Sequence, residues 1–377
     1  MKWEKKKLCE CTEYITDGDH QPAPKADKGV HFIKIKDIVN NQVSFDAQVY
    51  VPQEYYDNLP MERKPQKEDV LYTIVGSFGI PSYVQTDELF CFERNIALLH
   101  PNKDIEPRFL YYSLKNPAFY KGVEIVANGS AQKLIPLSKL KDLKISVPDK
   151  EAQRHIADIL SAYDDLIENN QRQIKLLEEA AQRLYKEWFV DLNFPGHENT
   201  KIVDGVPEGW SRGLLKELIS VNYGKDHKKA PDDGNIPVYG SGGLMRKCNK
   251  SLFSGEAVLI PRKGSLNNIM YVDETFWTVD TMFYATMKQP HTAVFVYFFV
   301  KAFDMYSMNI GAAVPSMTTK ILDAMDVVIP DKETLEKFDK LTKTYFNKIK
   351  TLQGQNERLK IARDLLLPKL MSGEVEV

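Results

Sequence analysis

The sequence predicts an α+β fold: two tandem repeated α/β modules joined by two long antiparallel helices that form a pseudo-twofold symmetric coiled coil. Three observations carry this. The chain is written twice, each copy closes on a helix with a heptad seam, and the two helices bear opposite net charge. A length of 377 residues is too great for one ordinary core and calls for two or more domains. With 43% apolar and 27% charged residues the chain falls in the globular range, which excludes a disordered or collagen-like polymer.

The duplication is read from collinear matches. Trp3 and Leu8 recur as Trp210 and Leu215, and DHQPAP (Asp19–Pro24) recurs as DHKKAP (Asp226–Pro231), both at an offset of 207. DVLYTIVGS (Asp69–Ser77) matches AVLIPRKGS (Ala257–Ser265) at 188, and FLYYSLK (Phe109–Lys115) matches FVYFFVK (Phe295–Lys301) at 186. SVPDKE (Ser146–Glu151) matches VIPDKE (Val328–Glu333) at 182. The offset falls in order, as shorter loops in the second copy require. VHFIKI, DVLYTIV and NIALL read as strands in the first copy, AVLIP and MFYATM in the second. FLYYSLKN and VYFFVKAF carry helical apolar spacing. The boundaries follow: a first module over 1–148, a central helix over 149–193, a linker over 194–209, a second module over 210–330 and a C-terminal helix over 331–377.

Both helices open at the repeated PDKE. Asp149 and Asp331 stand where an N-cap is wanted, and Glu151 and Glu333 favour the dipole in the first turn. Steps of four and three along the first helix give a seam of Ile156, Leu160, Tyr163, Ile167, Asn170, Ile174, Leu177, Ala181, Leu184 and Trp188. Shifted by 182, the second helix gives Phe338, Thr342, Tyr345, Ile349, Leu352, Asn356, Leu359, Arg363, Leu366 and Leu370. Such a repeat, held over heptad after heptad, specifies a coiled coil. Pro368 and Gly373 are expected to end the second helix. Residues 149–188 hold six basic and nine acidic groups, net −3, and 331–370 hold ten and six, net +4. Opposite charge favours pairing the two helices over pairing either with itself. One antiparallel register, in which paired numbers sum to 526, sets Asn170 opposite Asn356, Ile167 opposite Leu359 and Trp188 opposite Phe338. About 33 paired residues at ~1.5 Å each make a rod of roughly 50 Å. Two similar modules held at fixed separation and opposite orientation suit two half-sites on a duplex.

What the chain lacks narrows its chemistry. There is no GxxxxGK[ST] loop, no GxGxxG after a strand, no HExxH and no GxSxG. The Asn/Asp-Pro-Pro-aromatic tetrapeptide of an amino-methyltransferase does not occur. GSGGLMRK (Gly240–Lys247) has the wrong order for a phosphate loop and reads as a turn. Asp19-His20 and Asp226-His227 suggest general-base dyads, but sequence neighbours orient each other poorly, and both read as polar loops. Four cysteines (Cys9, Cys11, Cys91, Cys248) are too few for a disulfide scaffold, and Cys9-x-Cys11 has no partner pair at zinc spacing. No apolar run reaches ~18 residues, so no membrane span is expected. The start, MKWEKKKLCECTEY, lacks the apolar stretch of a secretory signal, which predicts a cytoplasmic protein. A net charge of −2 gives no basic surplus. These features point to binding or scaffolding, with no catalytic residue and no metal ligand assigned.

IADILSAYDDLIENNQRQIKLLEEAAQRLYKEWFVDLNFPG (Ile156–Gly196) resembles the central helix of the specificity subunit of type I restriction–modification systems. LKIARDLLLPKLMSGEVEV (Leu359–Val377) resembles its C-terminal helix, and GVPEGW (Gly205–Trp210) the entry to its second target-recognition domain. The resemblance covers the chain in order, and the helical stretches are its specific part. It implies a subunit without catalysis of its own. Its two target-recognition domains, 1–148 and 210–330, would each read one half of a split DNA sequence while the helices set the unread gap. It implies two modification (methyltransferase) subunits that methylate adenine with S-adenosylmethionine, and restriction (translocase/nuclease) subunits that use ATP and Mg. None of these cofactors is expected on this chain. The modules differ strongly in sequence, so an asymmetric target is expected. The alternative is a coiled-coil scaffold that presents two domains to protein partners without reading sequence.

Residues 1–148 hold 20 basic and 20 acidic groups, and 210–330 hold 13 and 11, so affinity for a duplex must come from clustered cations. The clearest stretch is 225–263, with Lys225, Lys228, Lys229, Arg246, Lys247, Lys250, Arg262 and Lys263 against four acidic residues. It is rich in Gly and Asn, hence loop-like. In the first module the candidates are Lys25, Lys28, Lys34, Lys36, Arg94 and Asn95. Lysine and arginine hold phosphates, while arginine and asparagine also reach base edges in the major groove. The duplicated glycine loops GSAQK (129–133) and GAAVPS (311–316) read as turns. Tyr111, Tyr112, Tyr297 and Phe298, at helical spacing, read as core.

Overall fold

The computed structural model describes residues 2–129, 133–308 and 316–377. The chain folds as two compact units, Met1–Asn170 with Gly354–Val377, and Gln171–Gln353. Each unit holds one module and a stretch of both long helices.

In the first unit the strand Glu4–Lys7 pairs antiparallel with Lys144–Val147, joining the module's beginning to its end. Between them a four-stranded sheet runs in the order Thr12–Asp17, Ile96–Pro101, Val70–Thr73, Pro81–Tyr83. A second sheet runs Tyr50–Val51, Val30–Ile33, Phe90–Phe92, with the last two parallel. Pro107 opens the helix Pro107–Lys115, where its missing N–H leaves no bond unmade. That helix is buried from Phe109 to Leu114 and shares one core with Val70, Tyr72, Ile156, Leu160, Leu367 and Leu370. The long helices are thus part of the module's own core, each such buried side chain contributing about 1.5–3 kcal/mol.

The second unit repeats the plan. Ser211–Leu214 pairs with Asp326–Ile329. The sheet begins Ile219–Tyr223, Met282–Met287, Phe253–Pro261, Met270–Thr278, the same order as the matching strands of the first unit. Ile236–Gly240, parallel to the end of Met270–Thr278, and Gly243–Cys248 complete it. Residues 225–263 are therefore loop-like only in part: Ile236–Gly240, Gly243–Cys248 and Phe253–Pro261 are strands, whereas Lys225, Lys228, Lys229, Lys250, Arg262 and Lys263 lie outside them, and GSGGLMRK is a tight turn only at Ser241 and Gly242. Pro237 and three glycines hide the strand pattern, which main-chain pairing on both sides of Ile236–Gly240 enforces. The connection that shrinks here to two residues spans residues 34–49 in the first unit, between Val30–Ile33 and Tyr50–Val51. Tyr111, Tyr112, Tyr297 and Phe298 are all core residues.

The central helix runs Lys150–Tyr185 and closes in a π-helical turn, Lys186–Val190; the C-terminal helix runs Lys332–Ser372. Asp149 accepts from the N–H of Ala152 and Asp331 from that of Thr334, both at 2.9 Å, so both are N-caps. Of the seam, Ile156, Leu160, Ile167, Asn170, Ala181, Trp188, Phe338, Thr342, Ile349, Leu352, Asn356 and Leu370 are buried. Tyr163, Ile174, Leu177, Leu184, Tyr345, Leu359, Arg363 and Leu366 are half-buried. The 526 register holds within each unit: Asn170 bonds Asn356 in the first, and the rings of Trp188 and Phe338 lie 5.9 Å apart in the second. The seam ends run into the module cores, which take up Ile156, Leu160 and Leu370 in one unit and Trp188 and Phe338 in the other. Pro368 does not end the C-terminal helix. Burial of Leu367, Leu370 and Met371 carries the helix past the lost bond to Ser372, and Gly373, with φ +75°, terminates it.

The junction of module and helices differs between the units. In the first, the Tyr112 hydroxyl donates to Asp164 at 2.7 Å, Arg363 pairs with the same carboxylate, and the Lys115 ammonium lies 3.5 Å from it. Burial pushes the Lys115 ammonium below its ordinary range against the pull of Asp164. At the matching offsets the second unit has Phe298 for Tyr112, Phe346 for Asp164 and Ala181 for Arg363. There Tyr185 stacks on Phe298 at 5.5 Å and Phe346 packs on Tyr271 at 4.7 Å. Common to both is a lysine over a tyrosine, Lys115 on Tyr111 at 5.2 Å and Lys301 on Tyr297 at 5.0 Å.

The segment expected as a linker is partly ordered against the second module. Phe194 is buried on Trp210 at 4.8 Å, and Ile202–Val203 pairs with Val206–Pro207. No helix among the described residues is long and apolar enough to cross a membrane.

Candidate nucleic-acid interface

Three of the candidate cations of the second unit, Lys225, Arg262 and Lys263, are tied by their main chain to one turn, Val279–Thr281. The N–H groups of Arg262 and Lys263 donate to the Thr281 carbonyl at 2.8 and 3.2 Å, and that of Lys225 to the Thr278 carbonyl at 2.9 Å. Gly224 makes the approach possible: a Cβ there would stand 2.0 Å from the Val279 oxygen. The Arg262 guanidinium lies 5.6 Å from the ring of Tyr223, which is 54% exposed. The tip of the hairpin reaches the same place. Asn268 donates to the Ser241 carbonyl at 2.8 Å, and Gly240 stands beside Val279.

Arg246 is spent inside the protein. Its guanidinium donates to the carbonyls of His227 and Ala230 and pairs with Asp232, fastening the hairpin to the turn His227–Lys229. Lys228 and Lys229 belong to that turn, and Lys228 is exposed. Lys247 is exposed on the edge strand, and Lys250 lies past the hairpin's other end, where its carbonyl receives the Cys248 thiol. The hairpin also exposes Leu244 and Met245, at 59% and 54%.

The first unit builds the same corner from different residues. The N–H of Ile74 donates to the Asn95 carbonyl at 2.9 Å, the counterpart of Arg262 to Thr281 at offsets of 188 and 186. Glu93, in the same turn, receives the N–H of Ile35 at 2.7 Å, which brings the chain at Lys34 to the turn that carries Arg94 and Asn95, with Lys36 inside the short 3-10 turn Ile35–Asp37. Lys25 and Lys28 are exposed but precede Val30–Ile33, at the opposite end of that strand from Lys34. Sequence reasoning missed Tyr223 and Phe78. Lys133 sits 5.2 Å from the Phe78 ring and pairs with Glu124 at 3.7 Å. The repeat gave no signal for them, since GSF after Val75 aligns with GSL after Lys263, where Leu266 is fully buried. Residues 130–132 and 311–315 of the two glycine loops lie outside the described residues.

The aspartates of the Asp-His pairs accept N–H groups of their own loops, and Asp19 also bonds Tyr55 and Arg63. Burial alone would raise Asp19, but the Gln21 N–H at 3.1 Å, the Tyr55 hydroxyl at 3.1 Å and Arg63 outweigh it and hold the carboxyl below its usual range. Asp226 accepts from the Lys228 N–H at 3.0 Å.

Comparison with known proteins matches this architecture. The family model described as the type I restriction modification DNA specificity domain matches residues 1–179 and again 207–360. The type I restriction enzyme MjaIX specificity subunit of Methanocaldococcus jannaschii is 26% identical over 325 residues, covering 75% of this chain and 72% of that one. The HindI specificity subunit of Haemophilus influenzae is 23% identical, covering 92% and 94%. The crystal structure of the S subunit of a type I restriction-modification system from M. genitalium shares the fold, with a TM-score of 0.66 at 19% identity over 98% of this chain and 96% of that one.

Proposed function

The chain belongs to the type I restriction modification DNA specificity family, and from that premise we propose that its two domains read the two halves of an asymmetric, bipartite duplex target. It is the DNA sequence-specificity subunit of a restriction–modification complex and not an enzyme in its own right. The observation that carries the bipartite reading is the repeated corner: Ile74 to Asn95 and Arg262 to Thr281 are the same bond in two modules, with Arg94 in the first turn and Lys225, Arg262 and Lys263 bonded to the second. Different side chains on the same frame suit different half-sites. Lys34, Lys36, Lys225, Lys228, Arg262 and Lys263 hold phosphates in this reading, and Arg94 and Asn95 reach base edges.

The long helices set the gap between half-sites and dock two methyltransferase subunits, with restriction subunits joining them. S-adenosylmethionine, ATP and Mg act on those partners, in the cytoplasm. Apolar side chains exposed off the seam support docking on the helices: Leu166 and Leu176 on one, Ile361 and Leu365 on the other. The test is methylome sequencing of a host that expresses the chain with its cognate methyltransferase subunit. A split, asymmetric adenine-methylated motif is expected. A continuous or absent motif overturns the reading.

A further inference from the structure

The hairpin Ile236–Cys248 carries a feature that phosphate binding does not use. Val238 pairs with Arg246 and Tyr239 with Leu244, so Met245 is the extra residue of a β-bulge. The bulge breaks the alternation of faces and leaves two consecutive apolar side chains, Leu244 and Met245, in solvent. Gly240 makes room for them: a Cβ there would stand 2.4 Å from the Met245 sulfur. The hairpin is pinned at its tip by Asn268 on the Ser241 carbonyl and on its flank by the Arg246 clamp. The edge hairpin of the six-stranded sheet thus presents an apolar pair next to its turn, with Lys247 on the same strand and Lys263 near that turn, which gives it the charge to approach a duplex whose major groove admits a β-ribbon.

We propose that Leu244 and Met245 are specificity-determining residues that pack against the 5-methyl group of a thymine in the half-site read by the second domain. The inference rests on the DNA-specificity reading above. Thymine alone offers an apolar group in the major groove, and an apolar pair held out of the core by a bulge matches it better than any hydrogen-bonding edge. Burying one methyl group is worth about 0.8 kcal/mol, or about fourfold in affinity.

The test uses the chain assembled with its methyltransferase subunits and a duplex bearing the split motif found by methylome sequencing. Each thymine of both half-sites is replaced singly by deoxyuridine, which lacks the methyl. At one position at least, the replacement is expected to weaken binding about fourfold. Leu244→Ala or Met245→Ala is expected to weaken binding to the thymine duplex by a similar factor and to lose nothing further on the deoxyuridine duplex. Both side chains are exposed, so the melting curve of each variant should match that of the wild type, which separates a contact from a folding defect. Losses that multiply independently, or a motif in which no thymine methyl affects binding, overturn the inference and leave sequence reading intact. A complex with no preference for the motif over unrelated duplex overturns both.

Discussion

Asn170 donates through its side-chain amide to the amide oxygen of Asn356 at 2.9 Å, with both residues at least 95% buried. Asn356 in turn points its own amide at the Ile167 carbonyl, at 3.5 Å. A polar pair in an apolar seam is satisfied in one alignment, and a slip by one heptad leaves both amides without partners.

Asn356→Ala should therefore destabilise the first unit by about 1–3 kcal/mol, because it strands a buried amide. The double variant Asn170→Leu/Asn356→Leu should be at least as stable as the wild type, at the expense of alignment. Urea melts of the two variants check this; a single variant as stable as the wild type refutes it.

Arg363→Ala should cost about 2–3 kcal/mol, since it removes the closer of the two cations that Asp164 faces at the module junction, the other being Lys115. Tyr112→Phe should cost about 1 kcal/mol, and the two losses should not add, because both act on one carboxylate. A double-mutant cycle by chemical denaturation gives the coupling. Simple additivity would show that the three groups do not act together.

Asp331 accepts from the backbone and hydroxyl of Thr334 and from the indole of Trp210 at 2.8 Å. Burial opposes ionisation, but these bonds outweigh it and depress the carboxyl below its usual range. A depressed carboxyl stabilises the fold fully above its unfolded pKa, about 4, and that share disappears as pH falls through the folded value. Asp331→Asn keeps a capping oxygen without the charge. Its melting temperature should fall less steeply than that of the wild type below about pH 4. Parallel curves would count against it.

Lys228→Ala/Lys229→Ala, in the assembled complex, should weaken duplex binding on all sequences alike. The slope of log K against log salt should flatten by about 1–2, near 0.9 per phosphate contact. An unchanged slope removes this turn from the interface.

Deleting four residues from each long helix removes about one turn, or ~6 Å, from both. The preferred spacing of the methylated half-sites should change, read directly from the methylome. An unaltered spacing sinks the idea that the helices set the gap.

The repeat, the two N-caps, the seam and its register were legible because each is a local or periodic signal: Asp149 and Asp331 before an acidic turn, and apolar residues every three or four positions. The hairpin was not, because Pro237, Gly240, Gly242 and Gly243 erase strand periodicity, and only pairing with Met270–Thr278 and Gly243–Cys248 restores it. Pro368 misled for a similar reason, since burial of its neighbours outweighs one lost bond. At the candidate interface, composition found the cations but not their duties. Arg246 looks like a base reader in sequence, and its donors are already taken by His227, Ala230 and Asp232.

The unlike junctions give the two modules separate addresses. A module cut from the first seat and grafted into the second would carry the Tyr112 hydroxyl into a wall of Phe346 and Ala181, with no carboxylate to receive it. The reverse graft would leave Asp164 and Arg363 facing a bare phenyl ring. Another module can be traded into this scaffold only if it keeps the side chains that fit its own seat, so the order of the two modules along the chain is written into the sockets.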